Sequence, residues 1–230
     1  MDFRTGYFVG NLIIFLPWLL IFLNRRDLRK ELIIGGLLSL PLVFTAPWFI
    51  PEYWNPTYLF GFIPYTKIGV EDVMFAFFPG SIATVIFEYI ENKKLVRYSG
   101  KKKDRYLHLT PYLLSILIFV GLDLLFPDYS IYNLMLGCAV GAFVIIFTRR
   151  DLFEQSVTSG FLFMLLYFVM FTLFNYILYP GYIDNVYSLN NLSGVIIFQL
   201  PLEEYVFSFS LGIFWSGIYE YIFNFRTSKR

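Results

Sequence analysis

Four carboxylates stand in two adjacent pairs, Glu71-Asp72 and Glu203-Glu204, and each pair opens a long apolar run. A carboxylate within a membrane-length apolar run is costly to bury and marks a functional position by default. Neighbouring carboxylates in a low-dielectric site cannot all ionise, so one can hold a proton while another accepts one. Such a group pairs a general acid with a general base and needs neither metal nor nucleotide. The plain alternative is that acids in a helix's first turn meet the positive end of its dipole. Recurrence of the pair at matching positions favours a chemical role.

Aromatic residues stand close to these acids. Phe75 lies one turn below Glu71, and Phe207 one turn below Glu203. Side chains four apart share a helix face, and a ring beside an acid can steady a developing carbocation through its π face. Glu88 and Glu220 form a second recurring set. Seventeen residues separate Glu71 from Glu88. That is about 25 Å of helix at ~1.5 Å per residue, too far for one site. Beside Tyr89 and Tyr221, Glu88 and Glu220 read as interfacial anchors.

The elements that must carry these residues are membrane spans. Apolar runs at roughly 5–23, 31–50, 69–90, 107–126, 131–147, 158–179 and 201–223 each approach the ~20 residues needed to cross the hydrocarbon. The fifth is the shortest. Asp2 and Arg4 precede the first run and no small-residue cleavage site follows it, so it reads as a span and not as a cleaved signal. The expected fold class is an all-α membrane protein of about seven transmembrane helices, since only helices satisfy their own backbone in lipid without closing a barrel. Pro79-Gly80, inside the third run, predicts a kink or a close helix approach. Pro51 to Gly61 is rich in aromatic and turn residues and is expected to fold as a lid over the outer mouth.

Charge sets the orientation. Arg25, Arg26, Arg29 and Lys30 follow the first span, a long basic loop over 93–105 follows the third, Arg149-Arg150 follow the fifth, and Arg226, Lys229 and Arg230 follow the seventh. With seven spans all of these fall on one side, and only Arg4 and Lys67 on the other. The basic side is cytoplasmic by the positive-inside rule, so the N-terminus is expected outside and the C-terminus inside, in a multi-pass cell-membrane protein. The basic loop reads as a topology determinant touching anionic lipid.

The chain also repeats. Asn24-Arg-Arg-Asp-Leu28 recurs as Thr148-Arg-Arg-Asp-Leu152, and Val70-Glu-Asp-Val-Met-Phe75 resembles Leu202-Glu-Glu-Tyr-Val-Phe207. The offset from Glu71 to Glu203 equals that from Glu88 to Glu220. Spans one to three thus correspond to spans five to seven, with the fourth as connector. A single connecting span makes the halves parallel, about an axis along the membrane normal. The expected units are 1–92 (first repeat), 93–130 (basic loop and linker span) and 131–230 (second repeat).

Composition excludes other classes. The chain is 57% hydrophobic and 15% charged, with mean hydropathy +0.62, which a soluble domain of 230 residues could not accommodate. A net charge of +1 gives no case for nucleic acid. One cysteine, Cys138, and one histidine, His108, exclude a disulfide framework and make a His/Cys metal centre untenable. No metal and no cofactor are expected.

Trp54-Asn-Pro-x-Tyr-Leu-x-Gly61 ahead of an acidic pair, followed by Leu200-Pro-Leu-Glu-Glu-x-x-Phe207, resembles the lycopene cyclase domain family, in the fused form of the heterodimeric-type carotenoid cyclases. The resemblance covers nearly the whole chain. The first copy, Gly69-Val-Glu-Asp72, lacks the proline of Pro201-Leu-Glu-Glu204. The family implies redox-neutral cyclisation of the linear ends of lycopene, or of a related carotenoid, to ionone-type rings by an isomerase of the intramolecular lyase type. It implies Glu203, Glu204, Glu71 and Asp72 as catalytic groups, and Phe75, Phe207, Trp54, Asn55 and Tyr58 as the substrate-binding set. The implied partners are a carotenoid polyene and the bilayer, with room for association with other carotenoid enzymes. The competing class is a non-enzymatic transporter or carotenoid-binding membrane protein. The strong acids lie at span ends and the span centres offer few polar ligands, which favours the cyclase.

Overall fold

The computed structural model describes residues 3–98 and 108–230. The predicted basic residues Lys101, Lys102, Lys103 and Arg105 lie outside the described residues. The protein is an all-α membrane protein. Among the described residues six helical segments are long and apolar enough to cross a membrane: Phe3–Asn24, Arg26–Phe49, Val70–Ile90, Pro127–Thr148, Arg150–Leu178 and Leu202–Phe223.

The regular α-helices within these segments are α1 (Gly6–Asn24), α2 (Arg29–Ser39), α3 (Val70–Ile90), α5 (Ser130–Thr148), α6 (Phe153–Leu173), α8 (Leu202–Trp215) and α9 (Ile218–Phe223), with α4 (Thr110–Leu125) between the third and fifth and a short α7 (Tyr182–Val186) after the sixth. The shortest of the predicted spans is therefore the fourth and not the fifth. α4 has 16 residues, about 24 Å at ~1.5 Å per residue, and Pro127 follows closely, where a helix tends to stop. The second span changes character midway. After Ser39 it continues as a 3-10 helix, Leu40–Phe49, containing Pro41 and Pro47, because each proline removes a backbone donor from an α-helical ladder.

Large apolar side chains on the outside, including Leu16, Leu20, Phe44, Leu117, Phe143, Phe147, Phe161 and Leu165, would be a liability in water and suit lipid. Inside, α8 packs on α5 and α6, and α3 packs on α1, α2, α6 and α8. Small residues permit the close approaches. A Cβ on Gly212 of α8 would lie 2.9 Å from Gly160 Cα of α6. A Cβ on Gly80 would lie 2.6 Å from Ser39 Cβ and 3.2 Å from Trp215 Nε1, so Pro79-Gly80 marks a close approach between α3 and its neighbours.

Two ends of the bundle are built differently. At one end β1 (Lys93–Arg97) pairs antiparallel with β4 (Phe225–Lys229), which joins the segment after α3 to the C-terminal segment. Arg25 and Arg149 brace this end in the same manner. Each guanidinium grips the aspartate two residues on, Asp27 at 2.9 Å and Asp151 at 2.7 Å. Each also donates to a backbone carbonyl of the adjoining strand region, Lys93 for Arg25 and Phe225 for Arg149. At the other end the loop after the second span lies against the loop around α7. Trp54 bridges Tyr187, Ser188 N donates to Tyr53 O at 2.9 Å, and Asn191 Nδ2 donates to Glu52 O at 2.7 Å. The residues expected to form a lid thus pack over the end that carries both acidic pairs.

Candidate active site

α3 and α8 each begin with an acidic pair, and all four carboxylates are buried. Adjacent helix positions are rotated by about 100°, so the two members of a pair cannot face the same way. The first members turn to the loops. Glu71 Oε1 accepts from Leu59 N at 2.8 Å. Glu203 Oε1 accepts from Ser193 N at 2.7 Å and from Tyr132 OH at 2.6 Å. Each fastens a neighbouring loop to the start of its helix.

The second members turn inward. Asp72 and Glu204 both line one cavity of about 120 Å³, whose wall is otherwise mostly apolar and aromatic and includes Tyr7, Trp54, Phe75, Tyr167, Tyr187 and Phe207. Asp72 Oδ1 accepts from Tyr7 OH at 2.9 Å and Tyr58 OH at 3.1 Å, while Oδ2 accepts from Gly69 N at 2.8 Å. Asp72 thereby caps the helix it begins. Pro201 occupies the corresponding place before α8 and has no N–H to offer. Glu204 is released from capping and is held by phenols instead: Tyr53 OH donates to its Oε1, with Tyr167 and Tyr187 beside it. The proline that distinguishes the second motif from the first has this local consequence.

Tyr53 and Tyr187 belong to the loops at the end of the bundle that carries the acidic pairs, and both are buried. Burial first, and the neighbouring Glu204 carboxylate second, push both phenols well above their ordinary range. Burial and then Asp72 do the same to Tyr58. These phenols therefore stay protonated and act as donors to the acids.

The residues expected to bind substrate divide. Phe75, Phe207 and Trp54 line the cavity, and the Trp54 ring lies 4.7 Å from that of Tyr7 and 6.0 Å from Phe75, centre to centre. Tyr58 does not line the cavity and reaches it through Asp72 and through the ring of Tyr7, 5.6 Å away centre to centre. Asn55 is exposed; its backbone N donates to Val186 O at 2.7 Å, and it does not line the cavity. The acid that shares the cavity with Phe75 is Asp72, and with Phe207 it is Glu204, so the acid and ring that meet in the cavity are three residues apart where four was expected. Tyr7, Tyr53, Tyr167 and Tyr187 were not singled out from sequence. Among 18 tyrosines nothing in their spacing distinguishes them, because the contacts to the acids are long-range.

Residues 128–222 match the family model described as lycopene cyclase. This stretch belongs to the lycopene cyclase domain family. The cyclase domain contains α5, α6, α8 and α9, and with them Glu203, Glu204, Tyr167, Tyr187 and Phe207. It implies an enzyme of carotenoid cyclisation. No curated protein and no solved structure matches the chain. Asp72, Phe75 and Trp54, which complete the cavity of the cyclase domain, come from the part of the chain outside the matched residues.

Glu88 and Glu220 depart from expectation. They are not interfacial anchors: each is 0% exposed, and with Glu31, itself 1% exposed, they form a compact group in which one oxygen of each lies within 4.8 Å of the others. The sequence places Glu88 and Glu220 at matching positions but gives no hint that Glu31 joins them, since α2 must fold back on α3 to bring it there.

Proposed function

We propose that the protein is a redox-neutral carotenoid cyclase, an intramolecular lyase that closes the linear ends of lycopene or a related carotenoid into ionone-type rings. The observation that carries this reading is that Asp72 and Glu204, one from each acidic pair, line a single aromatic-walled cavity. A buried acid protonates the terminal alkene and leaves a tertiary cation. The neighbouring double bond attacks it, closing a six-membered ring and moving the positive charge into the ring. Loss of a ring proton to a carboxylate restores a double bond and the acid. Atoms and electrons balance within the substrate, so no electron acceptor is consumed.

In this reading Asp72 and Glu204 give and take the proton. Phe75, Phe207, Trp54 and the surrounding tyrosine rings offer π faces to the cation and exclude water that would trap it. Glu71 and Glu203 act as positioning residues, holding the loops that supply Tyr53, Trp54 and Tyr187. The halves 1–92 and 131–230 act as parallel repeats about one site, joined by the linker 93–130. The N-terminus lies outside and the C-terminus in the cytoplasm. The bilayer delivers the substrate, because a long polyene is insoluble in water, and other carotenoid enzymes are natural neighbours in supplying it.

The test is expression in a lycopene-accumulating bacterium, with chromatography of the pigments. Cyclised carotenoid in the wild type and uncyclised lycopene in Asp72→Asn and Glu204→Gln is the expected result. Unchanged lycopene with wild-type protein present in the membrane would refute the reading for that substrate.

A further inference from the structure

We propose that Glu31, Glu88 and Glu220 bind a hard divalent cation at the end of the bundle opposite the acidic cavity. The three carboxylates come from the start of α2, the end of α3 and α9. One oxygen of each lies within 4.8 Å of the other two. The Glu88 and Glu220 carboxyls lie against each other, and no N–H or O–H of another kind of residue reaches either oxygen of Glu31, either of Glu88 or Oε2 of Glu220, all of them buried. A buried carboxylate without a donor is among the most expensive arrangements a protein can hold, and here two of them, Glu31 and Glu88, share one place with Glu220, only one of whose oxygens is satisfied.

The nearby cations do not resolve this. Arg25 spends its guanidinium on Asp27, on the backbone carbonyl of Glu88 at 2.9 Å and on that of Lys93. Arg149 is taken up by Asp151 and the Phe225 carbonyl. Arg25 nevertheless lies within electrostatic reach of Glu31 and Glu88, so a divalent ion among three carboxylates would leave a residual charge that Arg25 offsets.

A second observation comes from outside the acids. Gln155 is 2% exposed, and its Nε2 donates to Glu220 Oε1 at 2.5 Å and to Ser216 O at 2.6 Å. Those two acceptors fix which end of the amide is nitrogen. Its carbonyl Oε1 is buried without any partner. Gln155 stands six residues after Arg149, as Glu31 stands six after Arg25, so the two segments bring a neutral amide and a carboxylate to the same group. Gln155 orients one ligand through its amide nitrogen, as outer-shell groups of metal sites do.

An all-oxygen, carboxylate-rich set suits magnesium, manganese or calcium over softer ions. Metal–oxygen distances of about 2.0–2.6 Å put opposite ligands about 4–5 Å apart, which matches the spacing of the group. Such an ion would tie α2, α3 and α9 together beside the β1–β4 pair, away from the cyclisation chemistry.

The probe is Mn2+ on the purified full-length protein. After chelation and desalting, Mn2+ is added and bound ion is counted by electron paramagnetic resonance. About one tightly bound ion per chain is expected in the wild type, with a melting temperature raised above that of the chelated protein. Glu31→Gln should weaken binding at least tenfold, Gln155→Leu by about 10–100-fold, and Glu31→Gln/Glu88→Gln/Glu220→Gln should abolish it. Asp72→Asn/Glu204→Gln should bind as wild type does. Wild-type protein that retains no Mn2+ overturns the proposal whatever the variants do, and it would mean that shared protons neutralise the group. Loss of the ion in Asp72→Asn/Glu204→Gln, or its retention in the triple variant, overturns it equally.

Discussion

The phenol of Tyr53 donates a hydrogen bond to Glu204, 151 residues further along the chain. Tyr53 lies in the loop after the second span and Glu204 in the first turn of α8, so a loop from the first half of the chain supplies a donor to an acid of the second. Tyr53→Phe keeps the ring and removes the donor. A hydrogen bond to a charged group contributes about 1.5–3 kcal/mol. If that loss falls on the transition state, turnover drops about ten- to hundredfold. Ring formation in isolated membranes, normalised to protein, measures it, and a wild-type rate in Tyr53→Phe would show that Glu204 does not depend on this contact.

The acidic pairs should separate by position within the pair. Asp72→Asn and Glu204→Gln remove the groups that line the cavity, and loss of a proton-transfer group costs about 10²–10⁴ in rate, enough to leave lycopene unconverted in a pigment assay. Glu71→Gln and Glu203→Gln keep an oxygen acceptor for Leu59 N and Ser193 N and should retain most activity. Equal loss across all four variants, at equal membrane levels, would contradict the division of roles.

Orientation is open to direct measurement. Reporters fused after Arg226 should read cytoplasm and those inserted in 180–199 should read outside, following the positive-inside rule. β1 and β4 pair, so a fusion near Lys93 must report the same side as one after Arg226. Opposite sides for these two would be incompatible with the strand pair.

Helix packing offers a stability test away from the chemistry. A Cβ on Gly212 would meet Gly160 Cα and Ser159 O, each at 2.9 Å, and these are backbone atoms that cannot swing aside. Gly212→Val should destabilise the α6–α8 contact by about 1–3 kcal/mol, the usual penalty of overpacking. A lowered melting temperature in detergent is the expected sign, and an unchanged one would place the two helices farther apart.

Hydropathy and charge, read along the chain, determined the membrane class, the number of spans to within the short α4 and the positions of the acidic pairs. These are local properties: an apolar run of sufficient length must be a helix in lipid, whatever surrounds it. The motif at 201–204 also pointed to the family. Adjacent helix positions differ by about 100°, so the sequence implied that Glu71 and Asp72 face different ways, yet only the neighbours of α3 decided which one sees the cavity. The tyrosines that hold the acids, the exposure of Asn55 and the capping duty that Asp72 performs and Glu204 does not were settled by loops packing across long sequence separations. The group of Glu31, Glu88 and Glu220 is the clearest case. Histidine and cysteine occur once each and mark no metal site, while three glutamates spread over three helices converge only when those helices pack, because burial and proximity are properties of the assembled bundle and not of any segment in it.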